Sequence, residues 1–260
     1  MKIAVVADMH GDFVALSAVM DAVKNKNPDL IICPGDITDM FNIPKEFSQM
    51  DIANIVVHKL LIAGKMLFCL PGNHDPYEII DVFSEFNANL HCEVREACGI
   101  QFIGWGGAET PFNTLFEPSE EELAESLARL RKTAGRQFIL VTHAPPKNTK
   151  IDMVADGSHV GSAALRKFIE KEQPVLAISA HIHESQGIDN IANTTLFYPG
   201  PAYDGFYGIV VVDGSKVSCK INRVHVARPA GTAKPAGRES GKTKKPVQNA
   251  TRRRVKSGKT

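Results

Sequence analysis

The chain has 260 residues and a formal net charge of +1, with 43% hydrophobic and 23% charged residues. This composition is typical of a globular protein and excludes collagen-like, disulfide-scaffold and wholly disordered classes. No apolar run approaches the ~20 residues of a membrane helix, and Asp8 interrupts the first run too early for a secretory signal. Cys33 and Cys69 lie inside apolar, strand-like runs, which indicates buried free thiols. We therefore expect a cytoplasmic protein without membrane association.

The charge is divided unevenly along the chain. Residues 227–260 carry eleven Lys and Arg and one acid, a net charge of +10, which leaves −9 on residues 1–226. The basic segment has no aromatic residue, so it cannot bury enough apolar area to offset its ordering entropy. We predict a folded domain over residues 1–226 and a disordered basic tail over 227–260. Two roles stay open for such a tail: solubilising an acidic domain, or binding nucleic acid weakly and in a salt-dependent way.

Five short apolar runs each end in a turn that carries Asp, Asn or His. The runs are rich in β-branched residues and do not alternate, which is typical of strands buried on both faces. Helices are predicted between these runs, over residues 12–26, 51–64, 118–134 and 161–171. Further strands are predicted over residues 195–198, 206–213 and 216–226, and a Gly214-Ser215 turn joins the last two. The alternation of strands and helices predicts an α/β fold that finishes in antiparallel strands.

The polar residues of these turns are the candidate functional site, because ligands of α/β sheets bind beyond the carboxyl ends of the strands. Two carboxylates, one amide and four imidazoles suit Mn, Fe, Zn, Co or Ni better than Ca or Mg. Seven side chains are too many for one ion. Two ions ~3.5–4 Å apart that share a carboxylate would use them all, and that arrangement is typical of phosphate-ester hydrolysis. The seven candidates are Asp8, His10, Asp36, Asn73, His143, His181 and His183.

The motifs D-x-H, GD, GNHD, a His after a strand and H-x-H, in this order across residues 8–183, resemble the calcineurin-like metallophosphoesterases. The resemblance implies an α/β four-layer sandwich, in which helices flank mixed β-sheets. It also implies two divalent or mixed-valence metal ions, with manganese expected and Fe, Zn, Co or Ni as alternatives. Two positions depart from the family pattern. Ala180 stands where the family usually has Gly, and Tyr198 stands where related chains often carry Asn.

The resemblance also implies a role for each site residue. One metal would be held by Asp8, His10, Asp36 and His183. Asp36 would bridge to the second metal, which Asn73, His143 and His181 would also hold. His74 would be a general acid or a stabiliser of transition-state charge, oriented by Asp75. A carboxylate beside an imidazole favours its protonated form, as donation to a leaving alkoxide requires.

The predicted function is therefore hydrolysis of a phosphate ester, with a phosphodiester preferred over a monoester. A nuclease of the same superfamily and a non-catalytic binding scaffold are the alternatives. The loops over residues 37–50, 105–118 and 144–160 are expected to determine the substrate. Two side chains in or beside them stay open. Asp39 forms a turn, caps a helix or supports the site, and His159 is structural or contacts substrate.

Overall fold

The computed structural model describes residues 1–228, so most of the predicted tail lies outside the described residues. The described chain contains eleven strands in two sheets. The strands are β1 (Lys2–Val5), β2 (Leu30–Cys33), β3 (Leu67–Cys69), β4 (Val94–Ala97), β5 (Ile100–Trp105), β6 (Phe138–Thr142), β7 (Leu176–Ile178), β8 (Gly187–Ile191), β9 (Thr194–Tyr198), β10 (Phe206–Asp213) and β11 (Lys216–Arg223). The first sheet has the order β11-β10-β1-β2-β3, and the second has the order β4-β5-β6-β7-β9-β8.

Five α-helices connect the strands, and several begin at side chains that cap their free N–H groups. They are α1 (Phe13–Lys24), α2 (Gln49–Ala63), α3 (Ile79–Glu85), α4 (Glu120–Arg131) and α5 (Ala163–Glu172). Asp12 caps α1, while Ser48 and Ser119 form reciprocal capping boxes at α2 and α4. A short 3₁₀ helix (Ala202–Asp204) follows β9. Within residues 1–228, none of these helices has the length and apolar content that crossing a bilayer requires.

The apolar core has three parts that separate four layers. One part lies between the two sheets and includes Ile32 of β2 and Val141 of β6. A second part packs α1, α2 and α3 on the outer face of the first sheet, and a third packs α4 and α5 on the outer face of the second. The predicted four-layer sandwich of mixed sheets and flanking helices is therefore confirmed.

The parallel strands of both sheets end at a common edge. β1, β2 and β3 run parallel in the first sheet, as do β5, β6, β7 and β9 in the second. The loops beyond these strands join the sheets, since the Ala202 N–H donates to the Ala7 carbonyl over 2.8 Å. The predicted turn between β10 and β11 is also confirmed, because Asp213 pairs with Lys216 and Gly214 has φ +59°. All five cysteines are free thiols.

The last described residue, Arg228, contacts the folded domain. Arg228 pairs with the Asp12 carboxylate and donates to the Tyr203 carbonyl over 2.8 Å. β11 ends at Arg223 rather than at residue 226. The predicted boundary at 226 and the predicted disorder of the tail stay predictions, since residues 229–260 lie outside the described part of the chain.

Candidate metal centre

Left-handed backbone brings the candidate ligands together beyond the strand ends. Asp8, His10, Asp36 and His181 have φ between +48° and +79°, a region that L-residues rarely adopt. Such a conformation costs of order 1–3 kcal/mol per residue and persists only where the surroundings enforce it. Here the Asp36 carbonyl accepts the N–H groups of both Met9 and His10, over 2.8 and 2.9 Å. The loops after β1 and β2 thus hold each other in these conformations.

Four of the candidate ligands form a first cluster. His10 Nε2 lies 3.5 Å from Asp36 Oδ2 and 3.2 Å from His183 Nε2. His183 Nε2 lies 3.8 Å from Asp8 Oδ1. One donor atom from each of the four residues lies within 4.8 Å of all the others, so the group could hold a metal ion.

A second cluster shares the same carboxylate. His143 Nε2 lies 3.5 Å from Asp36 Oδ2 and 3.0 Å from Asn73 Oδ1. His181 completes a group with Asp36 and His143 whose donor atoms also lie within 4.8 Å of one another. Asp36 Oδ2 therefore lies 3.5 Å from an imidazole nitrogen of each cluster, where a shared carboxylate would lie if both clusters held an ion.

Glycine is required beside this carboxylate. A Cβ atom on Gly72 would lie 2.1 Å from Asp36 Oδ1. A Cβ atom on Gly35 would lie 2.5 Å from His143 Nδ1, and Gly35 also has φ +114°. The Pro-Gly pairs that end the β2 and β3 runs thus let the two loops approach closely enough to form the site.

Burial and charge set the protonation of the ligand side chains. Burial opposes ionisation of Asp36, but His143 and His74 outweigh it and hold the pKa of this carboxyl well below its usual range. Burial lowers the pKa of His10 to about 4 and, together with the charge of His143, that of His181 to about 3. Burial also acts to lower the pKa of His143, but Asp36 outweighs it and raises this pKa to about 9. His10 and His181 are thus neutral at pH 7, as metal ligation requires, whereas a bound ion would have to displace the proton of His143.

Hydrogen bonds from outside the clusters orient the ligands. The Tyr198 hydroxyl donates to Asp8 Oδ2 over 2.6 Å, and the Tyr203 hydroxyl lies 3.0 Å from His183 Nδ1. His143 Nδ1 lies 2.8 Å from the Pro34 carbonyl oxygen, which leaves its Nε2 facing Asp36. Partners of this kind fix the orientation of metal ligands. Tyr198 is a visible departure from the family pattern, whereas the sequence carried no signal for Tyr203.

His74 lies beside the first cluster and is held by Asp39. Its Nδ1 lies 3.2 Å from Asp39 Oδ1, and its backbone N–H donates to Asp36 Oδ1 over 2.9 Å. The His74 ring stands edge-on to His10, with ring centroids 4.9 Å apart. Burial acts to lower the pKa of His74, but the charge of Asp36 and the hydrogen bond to Asp39 outweigh it and raise this pKa.

The prediction that Asp75 orients the His74 ring is wrong. The buried Asp75 carboxylate accepts the N–H groups of Ile37, Thr38 and Gly72 and the Thr38 hydroxyl. It therefore ties the β2 and β3 loops together, while Asp39 takes the place beside His74. Sequence adjacency suggested the wrong carboxylate because neighbouring side chains in this turn point in different directions. Burial and the nearby charge of Asp36 raise the pKa of Asp75 to about 6.

The calcineurin-like phosphoesterase family model matches residues 1–185, which include all seven candidate ligands. The chain belongs to the calcineurin-like phosphoesterases. This phosphoesterase is 37% identical over 224 residues to the uncharacterized protein MJ1162 of Methanocaldococcus jannaschii, covering 82% of this chain and 96% of that protein. The family consists of hydrolases that act on phosphate esters and use dinuclear metal centres.

Solved structures share the fold of the phosphoesterase at low sequence identity. The protein TT1561 of Thermus thermophilus is 17% identical, with a TM-score of 0.61 over 84% of this chain and 97% of its own. A dimetal phosphatase from Danio rerio is 11% identical, with a TM-score of 0.55 over 86% of this chain and 96% of its own. These similarities show the fold.

His159, whose role the sequence left open, lies outside the two clusters. His159 Nδ1 lies 2.7 Å from the buried carboxylate of Asp152, which also accepts the Gly161 N–H, so His159 is anchored in the loop after β6.

A cavity of about 510 Å³ opens beside His181. It lies between three loops of the phosphoesterase, at residues 107–111, 144–147 and 160–163. These are parts of the loops expected to determine the substrate. The cavity provides room for an organic group next to the second cluster.

Proposed function

We propose that this phosphoesterase hydrolyses phosphodiesters in preference to phosphomonoesters and uses two divalent metal ions, with manganese expected. The observation that carries the proposal is the position of Asp36 Oδ2, 3.5 Å from an imidazole nitrogen of each cluster. Bound ions would lower the pKa of water and neutralise the phosphoryl oxygens. The proposed ligands of the first ion are Asp8, His10, Asp36 and His183, and those of the second are Asp36, Asn73, His143 and His181.

The donor set fits such ions. Two buried carboxylates and four imidazoles form mixed oxygen and nitrogen clusters without a thiolate, which suits manganese, iron or zinc. The Asp8 carboxylate is buried, and its pKa lies below the usual value because the hydrogen bond and charge of His183 outweigh burial. The site therefore keeps its negative charge at pH 7, when it would be needed to bind cations.

His74 is the proposed general acid. In the reaction, a water would release one proton to solvent and its oxygen would form a bond to phosphorus, while the bond between phosphorus and the leaving oxygen breaks and that oxygen takes a proton from His74. With Nδ1 directed at Asp39, His74 has its Nε2 proton available for transfer. The raised pKa of His74 supports this role, because an acid must hold its proton near neutral pH.

The position of the cavity relative to His74 supports the preference for diesters. The cavity of about 510 Å³ adjoins His181, whereas His74 contacts His10 of the other cluster. A diester carries two organic groups on phosphorus. One group could leave beside His74 while the other occupies the cavity.

Turnover of two model esters tests the proposal. The full chain is loaded with Mn²⁺ and assayed with bis-p-nitrophenyl phosphate and p-nitrophenyl phosphate. We expect hydrolysis of both, a higher kcat/KM for the diester, and loss of both activities in Asp36→Asn. His58→Asn is the control, because His58 lies in α2 and packs against Phe86, away from the clusters. Equal activity of Asp36→Asn and the unsubstituted protein would refute the assignment.

The charge of residues 227–260 favours nuclease activity as a second candidate. A net charge of +10 can neutralise phosphates, and the segment has no aromatic residue for base stacking, so any affinity should be loose and salt-dependent. The test compares the full chain with one that ends at residue 228 and keeps the Arg228 contacts. We expect similar turnover of small esters and loss of nucleic-acid binding. Degradation of plasmid DNA by both chains would favour the nuclease.

The donor set argues against a non-catalytic scaffold. All seven proposed ligands are present, and none of the seven side chains is directed away into another part of the described fold. The same turnover assay distinguishes this alternative. A scaffold would bind metal without hydrolysing either ester.

A further inference from the structure

Exposed apolar side chains are concentrated in the three loops that are expected to determine the substrate. Among residues 1–228, twelve large apolar side chains are exposed. Seven of them lie in the loops over residues 37–50, 105–118 and 144–160, namely Phe41, Ile43, Phe47, Phe112, Leu115, Met153 and Val160. Isolated exposed apolar residues are normal, but a concentration beside a site indicates a binding surface.

Phe41 is the member of this group that contacts the proposed acid. Its ring stands edge-on to the His74 ring, with centroids 5.4 Å apart and an angle of 85° between the planes. The Phe41 side chain is nevertheless 53% exposed. The ring therefore contacts His74 while about half of the side chain surface remains accessible.

A single buried carboxylate positions both residues. Asp39 Oδ1 accepts the Phe41 N–H over 2.9 Å and faces His74 Nδ1 at 3.2 Å, and Asp39 is only 3% exposed. The backbone at Phe41 is thus fixed relative to the imidazole. A fixed aromatic ring binds a ligand with little loss of its own conformational freedom.

We infer that Phe41 binds the leaving group of the substrate and selects a leaving group that carries an aromatic ring. The inference rests on the proposed function, because the leaving group is located by the acid that protonates it. The leaving oxygen must come within hydrogen-bond distance of His74, so the organic group attached to it lies against the neighbouring ring. Aromatic rings pack favourably on one another in offset or edge-on arrangements.

Inhibition by two phosphonates tests this inference. Methylphosphonate and phenylphosphonate carry the same phosphoryl oxygens, and their carbon–phosphorus bond is not hydrolysed. Each competes with bis-p-nitrophenyl phosphate on the Mn²⁺-loaded full chain. We expect phenylphosphonate to bind about three- to tenfold more tightly, the size of one aromatic contact. Phe41→Ala should bring this ratio close to one, and Phe41→Tyr should restore it.

Phe47→Ala is the matched control. Phe47 is an exposed phenylalanine in the same loop, and it should keep the ratio of the unsubstituted protein. Phe41→Ala could also lower kcat by loosening His74, but a residue that only packs against His74 would not change the ratio of the two inhibition constants.

The outcomes separate this inference from the proposed function. If both phosphonates inhibit but Phe41→Ala keeps the preference, or if the unsubstituted protein shows no preference, the inference is wrong and the proposed function stands. If neither phosphonate inhibits the Mn²⁺-loaded protein, the proposed phosphoryl site is itself wrong and the inference falls with it.

Discussion

The two sheets contribute different chemistry to the site. The loops of the first sheet carry both carboxylates, Asp8 and Asp36, together with His10, Asn73 and His74. The loops of the second sheet carry His143 and the His181–His183 pair, which are imidazoles alone. Each cluster combines residues from both sheets. The first sheet therefore supplies the negative charge and the proposed acid, and the second supplies three of the proposed imidazole ligands.

Two donors from the second sheet also orient the Asp8 carboxylate of the first sheet. Tyr198, at the end of β9, donates to Asp8, and the His181 N–H donates to the same carboxylate over 3.2 Å. Correct packing of one sheet on the other is thus a condition for the site to exist. Substitutions in the two sheets should consequently differ in how many metal ions the protein loses.

The largest effect is expected for Asp36→Asn. The amide cannot supply the charge that two cations would share, so we expect loss of both metals and a fall in kcat/KM of more than about 10⁴-fold. His181→Asn, in the second sheet, should lose one metal and keep the other. Metal analysis and turnover on the same samples measure both effects. Retention of two metals by Asp36→Asn would contradict the proposal that the first sheet supplies the negative charge that both ions share.

His74→Asn should retain both metals and lower kcat by about 10²–10⁴-fold, the usual contribution of a general acid. The loss should be smaller for p-nitrophenyl esters than for alkyl esters, because p-nitrophenolate leaves with little need of a proton. Steady-state kinetics on esters with leaving groups of different pKa measure this dependence. An equal loss for all leaving groups would indicate charge stabilisation rather than proton transfer.

Tyr198→Phe should weaken metal binding by about 10–100-fold, the range for partners that orient metal ligands. The substitution removes the hydrogen bond to Asp8 and keeps the buried ring. Metal titration followed by calorimetry provides the measurement. Tyr77→Phe is the control, because Tyr77 is exposed and stacks on Phe116. Equal metal affinity in the two variants would show that the second sheet does not orient Asp8.

The smallest catalytic effect is expected for Asp39→Asn, which should lower kcat about tenfold while the protein keeps its Tm and its metals. Asp75→Asn should act on stability, because its carboxylate accepts four buried hydrogen bonds, and a lost buried partner costs about 1–3 kcal/mol. Thermal unfolding and kinetics on both variants make the comparison. A lower kcat without a lower Tm in Asp75→Asn would return the orienting role to Asp75.

The sequence predicted the central strands and the turns that follow them, because apolar runs that end in polar turns are local signals. It did not predict β4 and β8, which are edge strands whose side chains are mostly half-buried or exposed, so they lack an apolar run. It also did not predict α3, which has seven residues and no side-chain cap.

The supporting contacts of the site were harder to predict than its candidate ligands. Asp39 is 35 residues from His74, and Tyr203 is 20 residues from His183. Such pairs form only after the loops fold onto one another, so no spacing in the sequence indicates them. The neighbouring Asp75 was the plausible partner by proximity along the chain, and its hydrogen bonds go elsewhere.

Metal stoichiometry and activity, measured in one titration, test whether the protein binds two ions and needs both for hydrolysis. The full chain is treated with a chelator, freed of it, and titrated with Mn²⁺ while bound metal and hydrolysis of bis-p-nitrophenyl phosphate are followed. We expect two equivalents of bound metal per chain and turnover that rises as both sites fill. Binding of a single equivalent at full activity, or two bound equivalents without hydrolysis, would contradict this expectation.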